Sequence, residues 1–136
     1  MQAKSDISHA VRILPGQDLN ITIRNYVNRL KIEAGWIITC VGSLTNYNIR
    51  FANQPSGTND KGRFEIVSLT GTLSFNGNHI HICIADGTGK AIAGHLLDGC
   101  IVYTTAEIII TESGKYIFKR ENDGSSPWKE LQIKQI

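Results

Sequence analysis

The stretch LTGTLSFNGNHIHICIADGTGKAIAGHL, residues 69–96, decides how this chain folds. It lies inside a segment from Gly62 to Thr105 that reads as successive β-strands joined by two glycine turns. Asn76-Gly77 marks the first turn, because both central residues of a type I′ hairpin must accept positive φ. A two-residue loop there pairs Phe75 with Asn78, which sets Ser74 against His79, Thr72 against His81 and Thr70 against Cys83. Successive side chains on a strand point to opposite faces. Val67, Leu69, Leu73 and Phe75 therefore join Ile80, Ile82 and Ile84 on a core face. Ser68, Thr70, Thr72, Ser74, His79, His81, Cys83 and Ala85 make a small, polar opposite face. This is the pattern of an antiparallel sheet buried on one side.

The length of the second turn, within Asp86-Gly87-Thr88-Gly89, decides whether the histidines meet. A four-residue loop would pair His95 with Ile80 and bury it. A three-residue loop over Gly87-Thr88-Gly89 pairs Asp86 with Lys90 and places His95 opposite His81. The second is preferred, since a glycine in the left-handed region ends three-residue hairpins. Ala91 and Ala93 then lie beside Cys83 and Ala85, and four small side chains leave room for a ligand next to three imidazoles.

Opposed and i, i+2 residues on one sheet face lie within roughly 5–7 Å at Cβ, so His79, His81 and His95 can share one ion. Three neutral imidazole nitrogens with water in the fourth position is the open arrangement of catalytic zinc. Cys83 points the same way as His81; as a fourth ligand it would make the site closed and structural. The competing reading makes the histidines polar groups on a solvated face or a subunit contact.

Over 136 residues the composition implies one domain, residues 1–136, with a core that needs no staples. A net charge of +2 is too small to argue for nucleic acid or an anionic membrane as a partner. Cys40, Cys83 and Cys100 sit in apolar contexts without a Cys-x-x-Cys spacing, and read as buried free thiols of a reducing compartment. Met1 to Asp6 is too short and polar for a signal peptide, and no apolar run spans a membrane. A cytoplasmic location is expected, with nuclear entry left open.

The remaining elements complete an α+β domain, an antiparallel sheet packed against one main amphipathic helix. Ile7 to Leu14 is a strand stopped by Pro15-Gly16. Asp18 is the expected N-cap of a helix whose stripe is Leu19, Thr22, Ile23, Tyr26, Val27 and Leu30, with Gly35 as its C-cap. Trp36 to Val41 reads as a buried strand. Gly42-Ser43 marks a bulge or close backbone approach, and the strand resumes from Leu44 to Phe51. Asn53 to Lys61 is a polar loop and a candidate rim for the histidine pocket. Cys100 to Thr111 is an apolar strand, Ser113-Gly114 a hairpin turn into Tyr116 to Arg120, and Leu131 to Ile136 a terminal strand.

Glu65 is the one weak catalytic candidate, as a general base near a metal. Strict alternation puts it on the apolar face with Val67, and only a bulge, with Gly71 the candidate position, would swing it across. An ion pair with Arg12 or Arg63 is the preferred role.

The run Gly62-Arg63-Phe64-Glu65-Ile66-Val67-Ser68-Leu69-Thr70-Gly71 resembles the PPC domain, conserved in plants and prokaryotes. The resemblance continues through His79-Ile80-His81, Ala85-Asp86-Gly87, Gly94-His95-Leu96-Leu97, Gly99-Cys100 and Thr104-Thr105-Ala106-Glu107. It implies an antiparallel sheet flanked by helices, assembly as a homotrimer, and a metal on the histidines matching His79, His81 and His95. Acetolactate decarboxylase has a similar fold with a three-histidine zinc, so a metal-dependent hydrolase or lyase is suggested by analogy of fold alone. In plants the domain follows AT-hooks. No Arg-Gly-Arg-Pro hook stands before the domain in this sequence, where Gly62-Arg63 runs on into Phe64-Glu65.

With the trimer that the resemblance implies, the expectation is a stand-alone trimeric domain that binds zinc and has a small-molecule or hydrolytic role. The alternatives are a DNA-associated accessory protein, or an assembly module whose histidines merely pack. Apolar character on both faces of Cys100 to Ile110 also favours a partner surface, here a second copy of the chain. DNA binding is expected to be weak or absent.

Overall fold

The computed structural model describes residues 4–136. Of the segment Met1 to Asp6, the first three residues lie outside the described part. The elements in order are β1 (Ile7–Ile13), α1 (Leu19–Arg29), β2 (Gly35–Arg50), β3 (Thr58–Leu73), β4 (His79–Ala85), β5 (Ala91–Leu96), β6 (Ile101–Glu112), β7 (Tyr116–Glu121) and β8 (Glu130–Gln135). Six strands form one sheet in the order β1-β6-β2-β3-β4-β5, and every described pairing in it is antiparallel. β2 is long enough to serve two neighbourhoods. Its far end pairs with β5 at Ile49–Leu96 and Arg50–His95, so the sheet curls back on itself and sets Arg50 beside His95. The fold is mostly antiparallel sheet with one helix, in keeping with the α+β reading.

α1 supplies the cover for the core. Asp18 accepts a hydrogen bond from the Ile21 amide at 2.9 Å, as an N-cap should. Leu19, Ile23 and Val27 are buried with the sheet residues Ile13, Leu44, Val102 and Ile108. The helix ends earlier than Gly35. Leu30 is the C-cap, and Lys31 takes a left-handed φ of 51°. The Lys31 amide donates to Asn28 O and the Ile32 amide to Val27 O, both bonds of a Schellman motif. The closure is therefore made by these bonds with a lysine in the usual glycine place, and Gly35 instead opens β2.

Two turns in the decisive stretch behave differently. In the second, the Asp86 amide donates to Lys90 O at 3.0 Å and Gly89 takes a φ of +83°, giving the three-residue loop. The first is longer than two residues. β3 stops at Leu73, and the register is Thr72–His79, Thr70–His81 and Ser68–Cys83. The cause is that residues 74–76 bond elsewhere. Ser74 Oγ donates to Phe118 O at 3.1 Å, Asn76 Nδ2 donates to the same carbonyl at 2.9 Å, and the Phe75 amide donates to Ile32 O at 2.8 Å. A slip of two residues moves partners but keeps every side chain on its face, so the histidine face survives the error.

Three other expectations are corrected. Trp36 to Val41 is not fully buried: Ile38 and Val41 are 57% and 62% exposed, because the β2–β6 register shifts between Ile37 and Thr39 and leaves Ile38 outside the ladder. Val67 leaves the core face and is 61% exposed, for a bulge lies between Ile66 and Ser68; Phe75, in the docked turn, is exposed as well. β7 does not fold back on β6 after Ser113-Gly114. The Ser113 and Phe118 amides bond to Ala34 O and Glu33 O, and β7 pairs with β8 in a separate two-stranded sheet. That hairpin carries Arg120 and Glu130 to the histidine face.

Candidate metal centre

β4 and β5 position the three histidines. His79 and His81 alternate along β4 beside Ile80 and Ile82, whose burial pins that face inward and turns the imidazoles out. His95 on β5 stands directly opposite His81. Cys83–Ala93 and Ala85–Ala91 are the next pairs along, so the small side chains flank the imidazoles as expected. Ring centroids lie 4.8 Å apart for His79–His81, 5.3 Å for His79–His95 and 5.7 Å for His81–His95. Each residue offers a ligand nitrogen, and these atoms all lie within 4.8 Å of one another.

The spacing fits a small ion. Two nitrogens at tetrahedral corners about 2.0–2.1 Å from zinc are roughly 3.3 Å apart. His79 Nε2 and His81 Nε2 are 3.1 Å apart, close to one such edge. The protonation state fits as well. Burial, the charge of His81 and then that of Arg120 lower the His79 pKa. Burial, then Arg50 and the other two imidazoles, lower His95 to about 4. Neutral imidazole is the ligating form.

Two concavities meet at this cluster. One, of about 490 Å³, has His81, Cys83 and His95 in its lining with Phe51, Ala52 and Asn53 from the β2–β3 loop. The start of the expected loop rim is thus present, although residues 58–61 belong to β3. The other, of about 550 Å³, joins all three histidines to Arg50, Arg120, Trp128, Lys129 and Glu130. The hairpin residues were missed in the sequence, because they flank a polar loop and have no motif of their own. Their only signal was Trp128 after Pro127, an aromatic in an otherwise polar run.

Cys83 is half-buried rather than buried; it lines the smaller cavity, outside the cluster of nitrogens, and its Sγ donates to Ile84 O at 4.0 Å. Cys40 and Cys100 are free and buried, and burial pushes both thiols up to about 11. Glu65 stands apart from the cluster of ligand nitrogens. The bulge at Val67, not Gly71, does bring it across the sheet, but it pairs with Ala85, four residues along β4 from His81, and lines neither cavity. Nor does it form the expected ion pair. Arg12 Nε donates to Thr105 Oγ1 at 3.0 Å, and Arg63 stacks over Tyr103 at 4.5 Å.

The His95 shift sets a pH dependence for the ion-free protein. The unfolded chain protonates this imidazole near 6.5, while the folded protein resists until about 4, so protons favour the unfolded state between those values. Stability is therefore full above pH 6.5 and falls as the pH drops towards 4. Urea midpoints measured through this window should decline for wild type and follow a flatter course for His95→Asn.

Residues 1–114 match the family model of the Plants and Prokaryotes Conserved (PCC) domain. The bifunctional protein GlmU of Synechococcus sp. (strain JA-3-3Ab) is 37% identical over 94% of this chain and 21% of its own length. AT-hook motif nuclear-localized protein 13 of Arabidopsis thaliana is 29% identical over 68% of this chain and 22% of its own. The chain thus spans about a fifth of the length of these curated relatives. Among solved structures, a hypothetical protein of Salmonella enterica is 36% identical with a TM-score of 0.94, covering 98% of this chain and 97% of that one. A metal-containing protein of Archaeoglobus fulgidus shares the fold at 19% identity and a TM-score of 0.79, with 96% of each chain covered.

Proposed function

The chain belongs to the Plants and Prokaryotes Conserved (PCC) domain family, and from that premise we propose that it is a metal-binding member in which His79, His81 and His95 hold one divalent ion, zinc before others. The observation that carries this reading is the convergence of three imidazoles, with all ligand nitrogens within 4.8 Å, where two cavities meet. Imidazole suits zinc among the available divalent metals, and three such ligands leave a fourth position for water or a ligand oxygen. The Archaeoglobus fulgidus protein of the same fold is metal-containing, which is in keeping with the proposal.

When bound, the ion supplies Lewis acidity to a carbonyl or a water. The chain's own residues do the rest. The sheet holds the three imidazoles oriented, the alanines of β5 keep the approach open, and Glu130 is the one carboxylate among the residues lining the two cavities. Glu130 replaces Glu65 as the group placed to exchange a proton with a small-molecule ligand. Elemental analysis of the protein prepared without a histidine tag tests the proposal. One zinc per chain is expected, and a chain that retains no divalent metal after exposure to zinc would overturn it.

Assembly as a homotrimer is part of the same proposal. Ile38, Val41 and Val67 lie exposed on β2 and β3, apolar side chains that a second copy would cover. Light scattering at micromolar concentration should give the mass of three chains, and a monomer mass would contradict it.

The relationship to AT-hook proteins favours DNA as the second reading. The basic side of α1 offers it little free charge. Both terminal nitrogens of Arg24 donate to the Asp98 carboxylate at 3.2 Å, and Arg29 lies over the Tyr26 ring at 5.4 Å. Binding to duplex DNA should be weak and sensitive to salt, for few phosphates can be neutralised. Submicromolar binding to A·T-rich duplex that resists salt, read by fluorescence anisotropy, would favour the DNA reading instead. No described helix is long and apolar enough to cross a membrane, and a cytoplasmic setting is proposed with the free thiols.

A further inference from the structure

The 550 Å³ cavity beside the histidines carries more positive charge than metal binding requires. Arg50, Arg120 and Lys129 line it against a single carboxylate, Glu130. Among the described residues, none of the three cations has a carboxylate within salt-bridge distance. Both guanidiniums are nonetheless held in place. Arg50 pairs through its backbone with His95 and lies over the Trp128 ring at 5.3 Å. Arg120 Nη2 donates to Thr72 Oγ1 at 2.7 Å, and Thr72 is the cross-strand partner of His79. Arg120 Nε is buried without a hydrogen-bond partner.

Two fixed guanidiniums beside a site for a divalent cation repel that cation, and the low dielectric of a half-buried cavity strengthens the repulsion. An anion lying between them removes the conflict. A guanidinium fork also matches a carboxylate in geometry, through two parallel N–H···O bonds. The cavity volume suits a ligand of metabolite size, and the net charge of +2 provides no wider field for a polyanion.

We propose that this cavity binds a small organic acid, with its carboxylate held by Arg50 and Arg120, Lys129 at the rim, and a neighbouring oxygen of the acid facing the three histidines. The inference deepens the metal reading and rests on it for the partner of that last oxygen and for the repulsion that an anion relieves, while the unpaired guanidiniums stand without it. Arg120, Lys129 and Glu130 all lie beyond residue 114, where the family match ends, so membership of the family does not by itself predict them. Reciprocal coupling follows: the ion and the acid each bind more tightly in the presence of the other.

The test is calorimetric titration of malonate and of inorganic phosphate into the full chain, zinc-loaded and zinc-free. Wild type is compared with Arg50→Gln, Arg120→Gln and Lys129→Gln, and zinc per chain is measured in every preparation. Malonate should bind wild type more tightly than phosphate does, and more tightly still with zinc present. Each arginine substitution should weaken malonate by at least about tenfold, the loss of one charge-assisted hydrogen bond, with zinc content unchanged. Lys129→Gln, on an exposed residue, should weaken it less. Should Arg120→Gln fail to fold, the other two variants carry the comparison. One zinc per chain with malonate unbound, or bound equally by the arginine variants, overturns the acid site and leaves the metal reading intact. No zinc uptake, with malonate binding that still depends on the arginines, overturns the metal reading and leaves the acid site. Phosphate binding tighter than malonate overturns the carboxylate assignment.

Discussion

Replacing His81 by alanine should weaken zinc binding by on the order of a thousandfold, since loss of a supporting residue alone typically costs about 10–100-fold. His81 is the keystone of the cluster. It faces His95 across the β4–β5 ladder, and its Nε2 lies 3.1 Å from that of His79. Removing it leaves two imidazoles with no third nitrogen between them. The fold should be indifferent, because His81 is exposed and the Ile80 and Ile82 side chains that anchor β4 point the other way. Competition titration against a chromophoric chelator gives the affinity, and circular dichroism the fold. Equal affinities in the two proteins, with unchanged structure, would leave the histidines as ordinary residues of a solvated sheet.

Gly42→Ala should destabilise the protein by about 3 kcal/mol, at the upper end of what overpacking usually costs. Gly42 pairs with Ala106, and at this point β2 and β6 approach too closely for any side chain. A Cβ would overlap the Thr105 carbonyl oxygen and stand 2.7 Å from the Ala106 Cα. Both obstacles are backbone atoms in the middle of the sheet, so neither can swing aside. Gly87→Ala is the matched control. Nothing lies within 4 Å of its added methyl, and the loss of unfolded-state freedom should leave it neutral or slightly stabilised. Urea denaturation of the three proteins provides the comparison, and a Gly42→Ala midpoint equal to wild type would contradict this account of the β2–β6 crossing.

That glycine shows what local pattern reveals. An interruption of an apolar strand by Gly42-Ser43 means either a bulge or a close approach, and the structure has both a register shift and a crowded backbone there. The His81–His95 register was legible for a similar reason, since a short loop ending in a left-handed glycine has few geometries. The first turn was misread because its residues bond to Phe118 O and Ile32 O, partners distant in sequence. Glu65 was assigned to the wrong face for want of the bulge at Val67, which an apolar residue among apolar residues does not announce. The C-terminal hairpin is the largest omission. Arg120, Trp128 and Glu130 reach the histidines only because β7 leaves β6 to bond with the segment after α1, a tertiary choice invisible to periodicity.

X-ray absorption at the zinc edge tests the central claim most directly, because it reports the atoms bound to the ion. The zinc-loaded protein should show a shell of nitrogen and oxygen only, with the outer-shell scattering of about three imidazoles and metal–ligand distances near 2.0–2.1 Å. A sulfur shell near 2.3 Å would bring Cys83 into the site and make it closed and structural. A shell without imidazole scattering would place the ion elsewhere and contradict the three-histidine centre.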